Sequence, residues 1–169
     1  KDMTADLAVR VGHAIGTHFG AGSVALARDP RLSGPMLSRA VAAGLMASGI
    51  EVIDLGMVPT PCAQYYVHVH GRLKGGVVIT ASHNPREFNG IKALDARGME
   101  MSREEEEAIE NIYFEDKVRR ADWSAVGDLR SDGSAADLYL RGILSHVDVE
   151  AIRKRKLTVV ADPANGAGC

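Results

Sequence analysis

Three short strand-like runs, Ser23-Val24-Ala25-Leu26-Ala27, Glu51-Val52-Ile53-Asp54-Leu55 and Val77-Val78-Ile79, the first and third of them apolar, alternate with segments of helical periodicity, and this alternation most narrows the folds open to the chain. Short, nearly continuous apolar runs belong to strands covered on both faces. Before the first run, Leu7, Val11, Ala14, Ile15 and His18 repeat at helical spacing, with Thr4 placed to cap the helix and Gly20 to end it. Between the first two runs, Ser33 caps, Pro35 sits in the first turn, and Leu37, Val41 and Leu45 share a face until Ser48-Gly49. Thr60 as cap and Pro61 at the first helical position open a third helix that runs to about His70. Strand, helix, strand, helix, strand predicts parallel strands with right-handed crossovers, an α/β domain.

The rule breaks after Ile79. About a dozen residues without helical pattern lead to Ile91, too few for a helical crossover, so Ile91 to Asp95 is predicted to run antiparallel at an edge. The expected architecture is therefore a mixed, mainly parallel sheet with helices on both faces. Ala96-Arg97-Gly98 turns the chain, and Ser102 with Glu105 forms a capping box for a helix bearing Ile109 and Ile112. The acids Glu104 to Glu107 suit the positive end of that helix better than they suit a metal. Lys117 to Asp132 reads as a charged loop anchored by Trp123. A last helix from Ser134, with Leu140 and Leu144, leads out of the domain.

Arg153-Lys154-Arg155-Lys156 reads as a solvated linker, followed by a new apolar strand, Leu157 to Ala161. Asp162-Pro163-Ala164-Asn165-Gly166-Ala167-Gly168 has the form of a strand-to-helix loop, and such glycine-rich loops can cradle phosphate. The division expected is residues 1–150 as one domain and 151–169 as a linker and the start of a second, truncated one. A chain of 169 residues is long enough for one well-buried core.

With 20 basic against 22 acidic residues the net charge is −2, which offers no electrostatic reason for nucleic acid or an anionic membrane as partner. Cys62 and Cys169 make neither a disulfide framework nor a metal spacing, so a reducing cytoplasm is the expected setting. No run approaches membrane-spanning length, and Lys1-Asp2-Met3 does not open a signal peptide. His13 and His18, five apart, and His68 and His70, two apart, lack the spacing of a helical metal pair and read as packing or surface residues.

Chemistry concentrates after the third run, in Thr80-Ala81-Ser82-His83-Asn84-Pro85. Small neighbours leave the Ser82 hydroxyl uncrowded at a strand's carboxyl end, where open α/β sheets place their ligands. Asn84-Pro85 and Asn89-Gly90 make turns, and Lys92 on the following strand could fold back toward the same anion. The alternatives are that Ser82 merely closes a local turn, that His83 holds the loop, and that Lys92 is a solvated lysine. Arg28 and Arg31 either serve an anionic ligand or pair with Asp29, and pairing is preferred. No G-x-S-x-G elbow supports a serine hydrolase.

The stretch Thr80 to Lys92, TASHNPREFNGIK, closely resembles the active-site signature of the α-D-phosphohexomutases, the family of phosphomannomutase, phosphoglucomutase and phosphoglucosamine mutase. Arg28-Asp29-Pro30-Arg31, preceded by Ala27 where the family has glycine, and Gly56 to Pro61 are similar to further family elements. So is Val159 to Gly168, which resembles the opening of the family's second domain. The resemblance implies the first domain of a multidomain isomerase that interconverts 1- and 6-phosphosugars through a hexose 1,6-bisphosphate. It makes Ser82 the phosphoserine and a Mg²⁺ contact, with His83 and Lys92 as charge-stabilising or proton-handling groups. A phosphoserine brings about −1.5 to −2 charges, which need cations, backbone donors or a metal around them.

The family's D-x-D-x-D-R metal loop, its sugar-recognition loop, its terminal phosphate-binding domain and its arginine-bearing segment upstream of the first helix are not in these residues. The expectation is a hexose-phosphate mutase in the full-length parent, working with the remaining domains of the same enzyme, and no turnover by this stretch alone. The alternative is a noncatalytic phosphosugar-binding or regulatory domain.

Overall fold

The structure is a computed structural model that describes residues 3–169; Lys1 and Asp2, part of the reading that the chain opens on no signal peptide, lie outside it. Helix α1 spans Ala5–Phe19, strand β1 Gly22–Arg28, α2 Gly34–Ala47, β2 Ile50–Met57, α3 Thr60–His70 and β3 Gly75–Ile79. Then come β4 Ile91–Leu94, α4 Arg103–Phe114, β5 Leu129–Ser131, α5 Ala135–Leu144 and α6 Val149–Lys154. The five strands form one sheet in the order β4-β3-β1-β2-β5. β1, β2, β3 and β5 are parallel, and β4 runs antiparallel to β3 at the edge, as its short connection requires.

Side chains alternate across the sheet and divide the core in two. Val24, Leu26, Val52, Val77 and Ile79 pack under α1, α2 and α4. Ala25, Ala27, Ile53, Leu55 and Val78 face α3 and α5. Helices α1 and α2 approach closely because Gly12 and Gly44 meet there: a Cβ on either would run into the backbone of the opposite helix.

Several local expectations hold at the level of individual bonds. Leu7 N donates to Thr4 Oγ1 at 3.2 Å at the start of α1. Ser102 and Glu105 form the full capping box of α4. Others are displaced by tertiary contacts. Ser33 is in helical conformation and makes no cap; its hydroxyl accepts from Asn89 Nδ2 at 2.9 Å instead. Pro59 is the cap of α3, which puts Thr60 inside the helix.

Trp123 does not anchor its loop, being 88% exposed. Arg119 does so: its N–H donates to Thr17 Oγ1 at 2.9 Å, and its guanidinium donates to the carbonyls of Gly20 and Ser48 that close α1 and α2. The same loop contains β5, which extends the sheet beside β2.

Helix α5 does not lead away from the domain. Tyr139 meets Tyr65 of α3 edge-on at 5.8 Å, and Ala135 is buried. The Tyr66 hydroxyl, from a side chain that is almost wholly buried, donates to Asp132 Oδ2 at 2.6 Å just before α5. Leu157 to Ala161 is not a strand: no strand of the sheet lies beside it to complete a ladder, and Val160 is fully exposed. Part of the basic run falls in α6, where Arg153 and Lys154 occupy the last turn, a favourable place for cations. The 150/151 division lies within α6. His70 stacks on Tyr66 at 3.9 Å, a packing role. No helix of the described residues is long and apolar enough to cross a membrane.

Candidate active site

The loop from Thr80 to Gly90 joins β3 to β4 at the carboxyl end of β3. Thr80 N donates to Gly90 O at 3.0 Å and closes its base. Within it, Asn84 N donates to Ala81 O and Phe88 N to Pro85 O, each at 3.0 Å, so two turns flank the Asn84-Pro85 bond, while the turn expected at Asn89-Gly90 is absent: Gly90 N donates to the Asn89 side chain instead. Ser82 has φ of 52°, a left-handed conformation that L-residues with a Cβ disfavour. Such a conformation persists only when its surroundings over-determine it.

They do so here by a closed circuit. Ser82 N donates to Thr80 Oγ1 at 3.1 Å, and Thr80 Oγ1 donates to Asp29 Oδ2 at 2.9 Å. Asp29 Oδ2 accepts from Arg31 Nε at 2.8 Å, and Arg31 Nη2 donates back to Ser82 O at 3.1 Å. Arg31 also donates to the carbonyls of Asn84, Pro85 and Phe88, so its ion pair with Asp29 is one part of a wider clamp on the loop. The Ser82 side chain is exposed, and its hydroxyl makes no hydrogen bond among the described residues. It does not close a local turn; the backbone of Asn84 and Ala81 does that.

An open cleft of about 700 Å³ runs beside the hydroxyl. One wall is the serine loop, with Ser82, His83 and Arg86. The floor is the turn after β1 and the turn from Val58 into α3, and residues 164–167 of the glycine-rich stretch form the other wall. His83 is exposed on this cleft beside Ser82.

Lys92 is placed elsewhere. It pairs with Val78 across the β3–β4 ladder, its Nζ lies 2.6 Å from Glu100 Oε1, and it is not among the residues lining the cleft. The structure thus joins Ser82 and His83 and leaves Lys92 in a surface ion pair. Thr80 and Asp29 were not singled out from the sequence as site residues. A threonine two before the serine, able to bond its amide, was the one available signal.

The cleft does not by itself fit Mg²⁺. Its carboxylate, Asp29, already accepts from Arg31 N, Arg31 Nε and Thr80 Oγ1, and the described residues hold no cluster of three or more metal-binding side chains. A second depression of about 420 Å³, between Lys74 and Arg97, contains carboxylates that are committed to their own turns: Asp95 accepts from Arg97 and Met99, and Glu105 from Ser102.

Residues 1–120 match the family model described as phosphoglucomutase/phosphomannomutase, alpha/beta/alpha domain I. A phosphoglucosamine/phosphogalactosamine mutase of Sulfurisphaera tokodaii is 44% identical over 170 residues, covering 99% of this chain and 37% of that protein. A phosphoglucomutase/phosphomannomutase of Thermococcus kodakarensis is 42% identical over 173 residues, covering 99% and 38%. The chain therefore spans less than two fifths of the length of these relatives. Among solved structures, a phosphoglucomutase/phosphomannomutase family protein from Burkholderia thailandensis superposes with a TM-score of 0.76 at 32% identity, covering 88% of this chain and 33% of that one.

Proposed function

This chain belongs to the phosphoglucomutase/phosphomannomutase family, and from that premise we propose that it is the phosphoryl-carrying part of a phosphohexomutase. Ser82 gives its phosphoryl group to one hydroxyl of an α-D-hexose phosphate and takes back the group from the other end of the resulting 1,6-bisphosphate. In the first half, the bond from phosphorus to Ser82 Oγ breaks as the bond to the sugar oxygen forms, and the sugar hydroxyl gives up its proton. The second half reverses these roles at the other sugar position. The observation that carries this reading is the Ser82 hydroxyl: exposed in a cleft, without a hydrogen-bond partner among the described residues, and held by its backbone on both sides. Phosphoryl transfer asks a protein mainly for such positioning and for charge stabilisation.

His83, next to the hydroxyl, is the group proposed to handle a proton or to balance charge. Lys92 is proposed to stabilise the phosphoryl charge after leaving Glu100. Both side chains of that pair are substantially exposed, and surface pairs of this kind are worth only about 0–1 kcal/mol, so a near-dianion is a competitive partner. Mg²⁺ would meet a phosphoryl oxygen on Ser82, with its carboxylate ligands supplied from outside this chain. The division at 150/151, the remaining domains as partners and the lack of turnover by these residues alone belong to the same proposal.

The test is phosphopeptide mass spectrometry on the full-length protein after incubation with a hexose 1,6-bisphosphate. Label on Ser82 and on no other serine is expected. Label elsewhere, or unchanged turnover by Ser82→Ala, would return the choice to a noncatalytic phosphosugar-binding domain.

A further inference from the structure

The serine loop is folded over a guanidinium. Arg31 donates to the carbonyl oxygens of Ser82 at 3.1 Å, Asn84 at 2.8 Å, Pro85 at 2.6 Å and Phe88 at 2.9 Å, and its side chain is only 10% exposed. An arginine has five N–H donors. Nε goes to Asp29, each terminal nitrogen serves two carbonyls, and none remains for a ligand. Arg31 therefore cannot bind an anion in this arrangement, although it lies beneath the loop that presents Ser82.

Its effect on an anion is indirect. A peptide unit is planar and trans, and the described residues contain no cis bond, so a carbonyl drawn toward Arg31 aims the N–H of the same unit the opposite way. The four units are Ser82–His83, Asn84–Pro85, Pro85–Arg86 and Phe88–Asn89. Pro85 has no N–H. Of the other three, His83 and Arg86 line the cleft, and neither amide finds a backbone or side-chain acceptor among the described residues.

We propose that the His83 and Arg86 amides form a donor site for a phosphate monoester dianion, the phosphoryl group on Ser82, and that Arg31 is the positioning residue that aims them. Buried cation and outward amides work together. The guanidinium holds four carbonyl dipoles away from the dianion, and the freed N–H groups turn toward it, as in backbone anion sites elsewhere. The assignment rests on Ser82 as phosphoryl carrier.

The test uses full-length protein with phosphoserine installed at position 82 by genetic encoding, so that it does not depend on turnover. In metal-free buffer, phosphorus NMR follows the second ionisation of the phosphoserine, which lies near 6 when unperturbed. The wild type is expected to titrate about one unit lower, because donors favour the dianion, and Arg31→Met to return most of the way to that value. The His83 and Arg86 amide protons should move downfield on phosphorylation in the wild type and not in Arg31→Met. Arg31→Lys keeps the charge but has only three donors, so it should titrate in between, and it carries the test if Arg31→Met does not fold.

Amides that ignore phosphorylation in the wild type would overturn the donor site. A variant with lowered thermal stability and an unmoved phosphoserine titration would reduce Arg31 to a structural staple. Failure of the phosphoryl-carrier reading would look different: unchanged turnover by Ser82→Ala, with this titration still giving its own answer.

Discussion

Removing one oxygen from Tyr66 should weaken the domain in a way that fades as the solution is acidified. The Tyr66 ring is buried under α5, and its hydroxyl donates to Asp132 Oδ2 at 2.6 Å. That bond, with those from Ser134, holds the Asp132 carboxyl down at about 2, while burial pushes the Tyr66 hydroxyl up. A folded value below the unfolded one, near 3.9, means that Asp132 adds stability above about pH 4 and loses it as the pH falls toward 2. The full shift corresponds to about 2.5 kcal/mol, which solvent around the partly exposed carboxylate reduces to ~1 kcal/mol. Tyr66→Phe keeps the ring and leaves no cavity, so its cost at pH 7 is set by the lost bond to a charged acceptor, about 1–2 kcal/mol. For a domain of this size that is a fall in Tm of roughly 3–6 °C. Urea unfolding of both proteins at pH 7, 4.5 and 2 reads the difference, which should be largest at pH 7 and clearly smaller at pH 2, where the folded Asp132 carboxylate takes up its proton. An equal gap at all three would show that the hydroxyl acts through packing and not through the Asp132 charge.

Three further outcomes are expected. In the full-length protein, Lys92→Ala should lower turnover on the order of 10²-fold, as for removal of one charge-stabilising donor, with little change in folding; unchanged kcat would leave Lys92 as the surface partner of Glu100. Gly44→Val should destabilise by about 1–3 kcal/mol or more in urea unfolding, because its side chain meets the backbone of α1 near Val9 and His13. Amides of Val159 and Val160 in the 169-residue chain should exchange with solvent at rates close to those of an unfolded peptide, since neither residue has ladder partners.

The parts of the fold that follow from local rules were readable: the period of Leu7, Val11 and Ile15, the Ser102–Glu105 capping box, and the short link that forces β4 to run backwards. The parts decided at a distance were not. Leu129–Ser131 is three exposed residues with a charge in the middle, and it becomes a strand only because β2 offers an unpaired edge. Trp123 invited the role of anchor by its size, yet two helix ends with unsatisfied carbonyls called for a guanidinium, and Arg119 supplies it. At the site, Ser82 and His83 stand together because they are adjacent in sequence. Lys92 shows the limit of that argument, since a neighbouring strand supplied reach but Glu100 supplied a nearer charge. The Asp29–Thr80 bond links residues 51 apart, and no local pattern announces it.

That separation also sets an order of events in folding. Arg31 meets its four carbonyls across 51 to 57 residues of chain, so the clamp closes only after β1 and β3 pair in register, which closes the loop formed by α2, β2 and α3. Closing so long a loop early would sacrifice chain entropy before any contact returned it. The serine thus acquires its left-handed backbone among the last steps. A collapsed chain with complete helices but an unformed β1–β3 ladder would keep the helical part of its far-ultraviolet dichroism and have an ordinary, unpresented serine.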